Sequence, residues 1–212
     1  LSVPDTSVSE PRRTVPARHA ASLLVLRDGG AGGAGAAVLM GMRGAGHRFM
    51  PNRLVYPGGA VDRADLRTVP ASPLPPATAA ALQRAANPAL AAALGIAAAR
   101  ELAEEAGLSL GVPPALDGMH YLCRAVTPPG SPIRFNARFL IVAEDRVSGE
   151  LAGSGELENL RFYTLEEAFA LDLAWVTRKV MEHLSDWLAI PEGERAQRTR
   201  WPVCRNRVWT IE

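Results

Sequence analysis

Lysine is almost missing from this sequence. Lys179 stands alone among 23 basic residues, and the other 22 are arginines. Beside so much alanine, that bias reads as genome composition and not as a nucleic-acid groove. Neither charge sign dominates: 22 acidic residues leave a net charge of +1, so nothing draws the whole chain to nucleic acid or an acidic membrane. Cysteine is scarce as well. Cys123 and Cys204 are too few for a disulfide scaffold or a zinc site. No unbroken apolar run reaches membrane-spanning length, and the first twenty residues, interrupted by Pro4, Pro11 and Pro16, hold no signal-peptide stretch. The absences together lead us to expect a soluble, cytoplasmic protein with neither nucleic acid nor membrane as partner.

What is present is 212 residues, 48% of them hydrophobic, enough for one sizeable core. Residues 1–17 are polar and proline-interrupted and read as a flexible arm, leaving 18–212 as a single domain. Apolar runs over 20–26 and 36–42 predict strands, and the glycine-rich 29–35 between them predicts a plain hairpin loop. A phosphate cradle is the rival reading there, but no Gly-Lys-Ser/Thr follows. Residues 43–56 look irregular and cationic. The proline-rich 69–77 predicts a surface excursion, followed by alanine-rich helical sequence from Thr78. Asn87-Pro88 supplies an N-cap and a proline at the first helical position. Leu94, Ala98, Leu102 and Ala106 then form a narrow apolar stripe that ends at Gly107.

Strands are expected over 119–126 and 132–143. In the second, Phe135, Ala137, Phe139 and Ile141 alternate with Arg134, Asn136 and Arg138, which predicts one polar face. A short strand over 160–163 leads into Thr164-Leu165-Glu166-Glu167, a capping box that opens a helix. Val176, Val180, Leu184, Trp187 and Leu188 share one face of a helix over 175–188, and 203–211 reads as a final strand. Strands and helices in this order predict an α+β fold, or an α/β/α sandwich with a mixed sheet.

The chemistry concentrates in Arg100-Glu101-Leu102-Ala103-Glu104-Glu105-Ala106-Gly107-Leu108. On a helix Glu101 stands beside Glu104 and Glu105, so three carboxylates share a face, with Arg100 placed to reach Glu104. Their repulsion is offset if a hard divalent cation such as Mg²⁺ sits among them, and the bland reading is a solvated acidic face.

With Pro57-Gly58-Gly59, this stretch resembles the Nudix hydrolase family, whose box runs G-x5-E-x7-R-E-U-x-E-E-x-G-U, where U is aliphatic. Arg100 to Leu108 match every specified position, and Gly59 is followed after five residues by Asp65, where the family has glutamate. Between Asp65 and Arg100 lie 34 residues in place of seven, which puts an Ala/Pro-rich insert at about 66–93. A box split there resembles the subgroup of peroxisomal coenzyme A diphosphatases. The resemblance implies an α/β/α sandwich, with the box helix on one side of the sheet and the C-terminal helices on the other. It also implies a hydrolase of nucleoside diphosphates linked to another moiety, using Mg²⁺ or Mn²⁺ held by Glu101, Glu104, Glu105 and Gly59. Arg100 then orients a glutamate, Gly58 and Gly59 admit the diphosphate, and Glu105 takes the proton, with Glu156 as second choice.

Coenzyme A hydrolases of the family carry an upstream signature whose two arginines correspond to Arg43 and Arg48, ahead of Tyr56-Pro57-Gly58-Gly59. These would bind substrate phosphates. Coenzyme A or its acyl forms, ADP-ribose, dinucleotides and nucleotide sugars remain open as substrates. So does a non-catalytic nucleotide-binding regulator, and monomer and homodimer alike stay open. The scattered His19, His47, His120 and His183 show no metal-ligand spacing, and Cys123 reads as a packed strand residue. Cys204 lies close to Arg205 and Arg207, a setting that would lower its pKa. Arg195, Arg198, Arg200, Arg205 and Arg207 with Trp201 and Trp209 give the rival reading of a nucleic-acid surface.

Overall fold

The computed structural model describes residues 15–27, 29, 35–44, 46, 51–153 and 155–212. Most of the expected arm, most of the glycine loop, His47 and Arg48 lie outside these residues.

Ten residues starting at Arg18 form the organising strand, β1 (Arg18–Arg27). Both of its faces are apolar, as a strand covered on two sides requires. Leu23 and Val25 enter one core while Leu24 and Leu26 enter another. Around it are β2 (Ala37–Arg43), β3 (Leu54–Val55), β4 (Gly58–Ala60), β5 (Leu108–Ser109), β6 (His120–Val126), β7 (Phe135–Ala143), β8 (Ser148–Gly149), β9 (Leu157–Thr164), β10 (Pro202–Arg205) and β11 (Val208–Ile211). The helices are α1 (Pro76–Gln83), α2 (Pro88–Ala106), α3 (Leu165–Ala170), α4 (Trp175–Leu188) and α5 (Glu192–Arg195). Among the described residues the main sheet runs β11-β10-β6-β7-β1-β2-β3, with β4 added to β1 and β9 to β2. It is mixed: β1 with β7 and β6 with β10 are parallel, and the other pairs are antiparallel. Helices α1 and α2 cover the Leu23 face, and α3 and α4 cover the Leu24 face. The result is an α+β fold with α/β/α layering.

Local chemistry sets the helix ends. The Asn87 side chain accepts from the Leu90 amide at 2.8 Å, ahead of Pro88. Gly107 closes α2 in the left-handed region at φ 70°, where a Cβ would also strike the Glu150 carbonyl. Thr164 and Glu167 complete the capping box of α3.

Four expectations change. First, the polar face of β7 is not solvated. Arg138 is 1% exposed on the α1–α2 side, and its guanidinium donates to the carbonyls of Ala85 and Asn136. Alternation marks two faces but not which face meets water, and here a helical layer covers both. Second, residues 203–211 are two strands. Asn206 and Arg207 take φ of 52° and 63° and turn β10 back as β11. Third, α2 is buried over much more than a stripe: Ala91, Ala93, Gly95, Ala97, Ala98 and Ala99 are all covered, because small residues let the helix lie close to the sheet. Fourth, the proline-rich insert is not wholly a surface excursion. Leu74, Ala81 and Leu82 join the α1–α2 core, and the Thr78 hydroxyl donates to the Met119 carbonyl at 2.7 Å.

Two predictions follow from this packing. Leu82→Ala lowers unfolding stability by about 2–5 kcal/mol, the range for a buried leucine truncation, where an inert excursion would give almost no change; urea denaturation measures it. His19 Nδ1 lies 2.9 Å from Arg138 Nη1, so the ring accepts and must be neutral. Burial and the charges of Arg138 and Arg124 hold its pKa below the usual histidine value. Its contribution to stability is therefore present above the unfolded-state pKa of about 6.5 and is lost as pH falls through the lower folded value. Melting scans between about pH 7.5 and 5.5 should show a smaller acid loss in His19→Gln than in the parent.

Candidate active site

Three consecutive residues of β4 receive three side chains of α2. The Gly58 amide donates to Glu105 Oε2 at 2.8 Å. A Cβ built on Gly59 would fall within the Glu101 carboxylate. The Ala60 carbonyl accepts from Arg100 Nη2 at 3.0 Å. β4 is held in turn by β1, where Ser22 pairs with Gly58 and Ala20 with Ala60. At Gly58 a side chain would collide with the Ala21 carbonyl and Ser22. Both glycines are thus required by close approach, one from the sheet side and one from the helix side.

Arg100 ties the split parts together. Its Nε and Nη2 reach the two oxygens of Asp65 at 3.1 Å each, and its Nη1 reaches Glu101 at 2.8 Å and Glu104 at 2.9 Å. Asp65 is 2% exposed and also accepts from the Asp62 amide at 2.7 Å. The bond to Asp65 comes first among the causes that raise the Arg100 pKa. The carboxylate one methylene shorter than glutamate therefore still reaches its arginine, with 34 residues intervening.

The two inner glutamates are poorly compensated. Glu105 is 3% exposed, and burial pushes its pKa up to about 7 against the opposing pull of the Gly58 amide and Arg43, while Glu101 and Glu156 repel it. Glu101 is likewise raised, first by burial, with Arg100 opposing and Glu104 and Glu156 adding repulsion. Glu104 is largely exposed, and Glu156 is exposed nearby.

The expected three-way convergence is not formed. Arg100 stands between Glu101 and Glu104, Glu105 turns to the Gly58 amide, and no three acidic, histidine or cysteine side chains among the described residues make a metal-holding group. The donors still fit a hard cation by chemistry: the buried Glu105 and the half-buried Glu101, both held above the usual carboxylate pKa, flank a bend without side chains.

On the other face of the sheet a cavity of about 680 Å³ opens beside the same bend. It exists because β1 tapers on that face, from Leu26 and Leu24 to Ser22 and Ala20, while β7 continues with Phe139, Ala137 and Phe135. The first turn of α4, around Trp175 and Thr177, closes the far wall. Arg43 lines the cavity, with Nη2 3.9 Å from Glu105 Oε1 and a buried Nε that has no partner among the described residues. The taper was readable as single residues in the sequence. That it leaves a space instead of a filled core depends on the placement of α4, which periodicity does not give.

Other expectations move away from the site. Cys204 lies on the cavity wall, but burial raises its pKa instead of lowering it. Trp201 packs in the core against Tyr121, Arg195 lies over Trp187, and Arg198 donates to the Tyr121 carbonyl, so the C-terminal arginines and tryptophans do not form a stacking surface. No helix among the described residues is long and apolar enough to cross a membrane.

Comparison with known proteins bears on the domain and the fold. A family model described as NUDIX domain matches residues 92–184, and no curated protein matches the sequence. The structure is similar to a crystal structure of a NUDIX hydrolase from Alicyclobacillus acidocaldarius, with TM-score 0.64 and 23% identity over 85% of this chain and 96% of the other. It is also similar to a MutT NUDIX hydrolase from Burkholderia pseudomallei, with TM-score 0.51 and 20% identity over 80% and 99% of the two chains. A mutator MutT protein from Bacillus halodurans gives TM-score 0.53 and 13% identity over 92% and 97%. A NUDIX domain model thus matches residues 92–184 of the chain, and the fold is shared with these solved NUDIX structures.

Proposed function

We propose that this protein cleaves the pyrophosphate of a nucleoside diphosphate linked to a second moiety, with Glu101, Glu104, Glu105 and Gly59 as the residues that would hold a divalent cation. The observation that carries the reading is the meeting of two under-compensated carboxylates, the Gly58-Gly59 bend and the mouth of a large cavity at one place. Mg²⁺ or Mn²⁺ bound there screens phosphate charge and acidifies water.

The side chains divide the remaining work. Glu105, with a pKa near 7, can take a proton at neutral pH, and Glu156 at the rim is the second candidate. Arg43, whose Nε has no partner among the described residues, presents its guanidinium to phosphate oxygens. Gly58 and Gly59 keep the passage between carboxylates and cavity open. Arg100, anchored by Asp65, holds Glu101 and Glu104 in place. Arg48 belongs to the same proposal on sequence spacing alone.

Nothing in the comparisons singles out coenzyme A. It remains one arm of a substrate panel, motivated by the spacing of Arg43 and Arg48, beside ADP-ribose, a reduced dinucleotide and a nucleotide sugar. Turnover of that panel with Mg²⁺ and Mn²⁺, with products identified, tests the reading. Cleavage between the phosphates of at least one member supports it, and binding without turnover of any member favours a nucleotide-binding regulator.

Two variants sharpen the test. Glu105→Gln lowers kcat by roughly 10²–10⁴ if the carboxylate is the base, while its melting temperature does not fall, since the change removes a desolvated charge. Gly59→Ala forces the Glu101 carboxylate aside and loses activity although the bend stays folded, which circular dichroism and kinetics on the same sample measure. Full activity in either variant would remove its residue from the site.

A further inference from the structure

The cavity beside the Gly58-Gly59 bend is larger and more carbon-lined than a phosphate passage needs. Its walls come from Val55, Tyr56, Val126, Phe139 and Val176, together with the small Ala20 and Ala137. Several polar groups along those walls are already engaged, while Ser22, Thr177 and Arg207 also line the space. The Thr127 hydroxyl accepts from the Phe135 amide at 3.0 Å. The Tyr56 hydroxyl faces the Thr177 carbonyl at 3.4 Å and the Met181 sulfur at 3.9 Å. The Cys204 thiol is kept neutral by burial. Tyr56 and Phe139 meet edge to face at an interplanar angle of 77°, so that pair offers no parallel slot for a base. The lining is mainly carbon, so an apolar group finds more contact here than the hydrogen-bonding edge of a nucleobase does. At the inner end Arg43, whose buried Nε has no partner among the described residues and whose Nη2 lies 3.9 Å from Glu105, marks where negative charge enters.

We propose that the substrate is an amphipathic diphosphate, whose phosphates lie between Arg43 and the bend and whose apolar chain fills the cavity. This rests on the reading of the site as a diphosphate site and adds what the second moiety is. A chain of hydrocarbon, free or as an acyl group, fits this mainly carbon lining better than a polar sugar or a second nucleoside does.

The experiment separates the two levels by measuring binding without turnover. Adenosine methylenediphosphonates esterified with ethyl, butyl, hexyl and octyl chains are titrated calorimetrically into the intact protein in Mg²⁺. Kd should fall about fourfold per methylene, the equivalent of ~0.8 kcal/mol, until the cavity is filled. Ala137→Leu, which occupies part of the cavity, should flatten that slope at the long-chain end. Kd independent of chain length, tighter binding of the ethyl than of the octyl ester, or no binding of any ester overturns the proposal. Should the chain-length slope appear while the hydrolysable panel is not turned over, the assignment of catalysis fails and that of the apolar ligand stands.

Discussion

The hydrogen bond from the Gly58 amide to the Glu105 carboxylate is the contact on which the rest of the site depends. It fixes the last turns of α2 against a sheet edge that has no side chain to offer, and it does so with a charge. Burying that charge is costly, as the pKa near 7 records. One amide and a guanidinium 3.9 Å away do not fully offset the cost. The close approach of α2 is nevertheless secured elsewhere, by the run of buried alanines that lets the helix settle on β1 and by Gly95 against Leu74 and Leu116. Stability is therefore supplied by the first two thirds of the helix and spent at its last two turns, a division common where chemistry requires strain.

Arg100 explains how the two parts of a cut motif stay joined. Closing a loop of 34 residues instead of seven adds only about 1.4 kcal/mol of chain entropy, because the cost grows as (3/2)RT ln n. The insert offsets that by its own burial, with Leu74, Ala81 and Leu82 in the core. What must be kept is the pairing at the loop's ends, and the fork of Arg100 on Asp65 keeps it. Aspartate suffices since its carboxylate is itself oriented by the Asp62 amide.

Most of the fold could be read in advance where a signal is local. The Asn87 cap, the Gly107 stop, the capping box at Thr164 and the amphipathic α4 all form as their residues dictate. What failed was decided by tertiary contact. Arg138 sits on the alternating polar positions of β7, but α1 ends above it and supplies the Ala85 carbonyl, turning a solvent face into a satisfied interior one. The helical face of Glu101, Glu104 and Glu105 was legible, yet their individual directions were not: each carboxylate follows its nearest donor, and the donors come from β4 and Arg100.

The sheet separates two kinds of environment that a diphosphate needs together. Carboxylates require helix α2, hence the face where Leu23 and Val25 pack; a space for a second moiety requires small residues on the opposite face, at Ser22 and Ala20. The two can meet only where the sheet is thin enough to see through. Strand β4 provides that place, because Gly58 and Gly59 contribute backbone alone between Glu101, Glu105 and the cavity. A side chain at Gly59 would displace the Glu101 carboxylate, and one at Gly58 would strike Ala21 and Ser22, so either would close the window between the faces. The glycine pair is thus best understood as an aperture, and the tapering of β1 beside it as the feature that gives the aperture somewhere to lead.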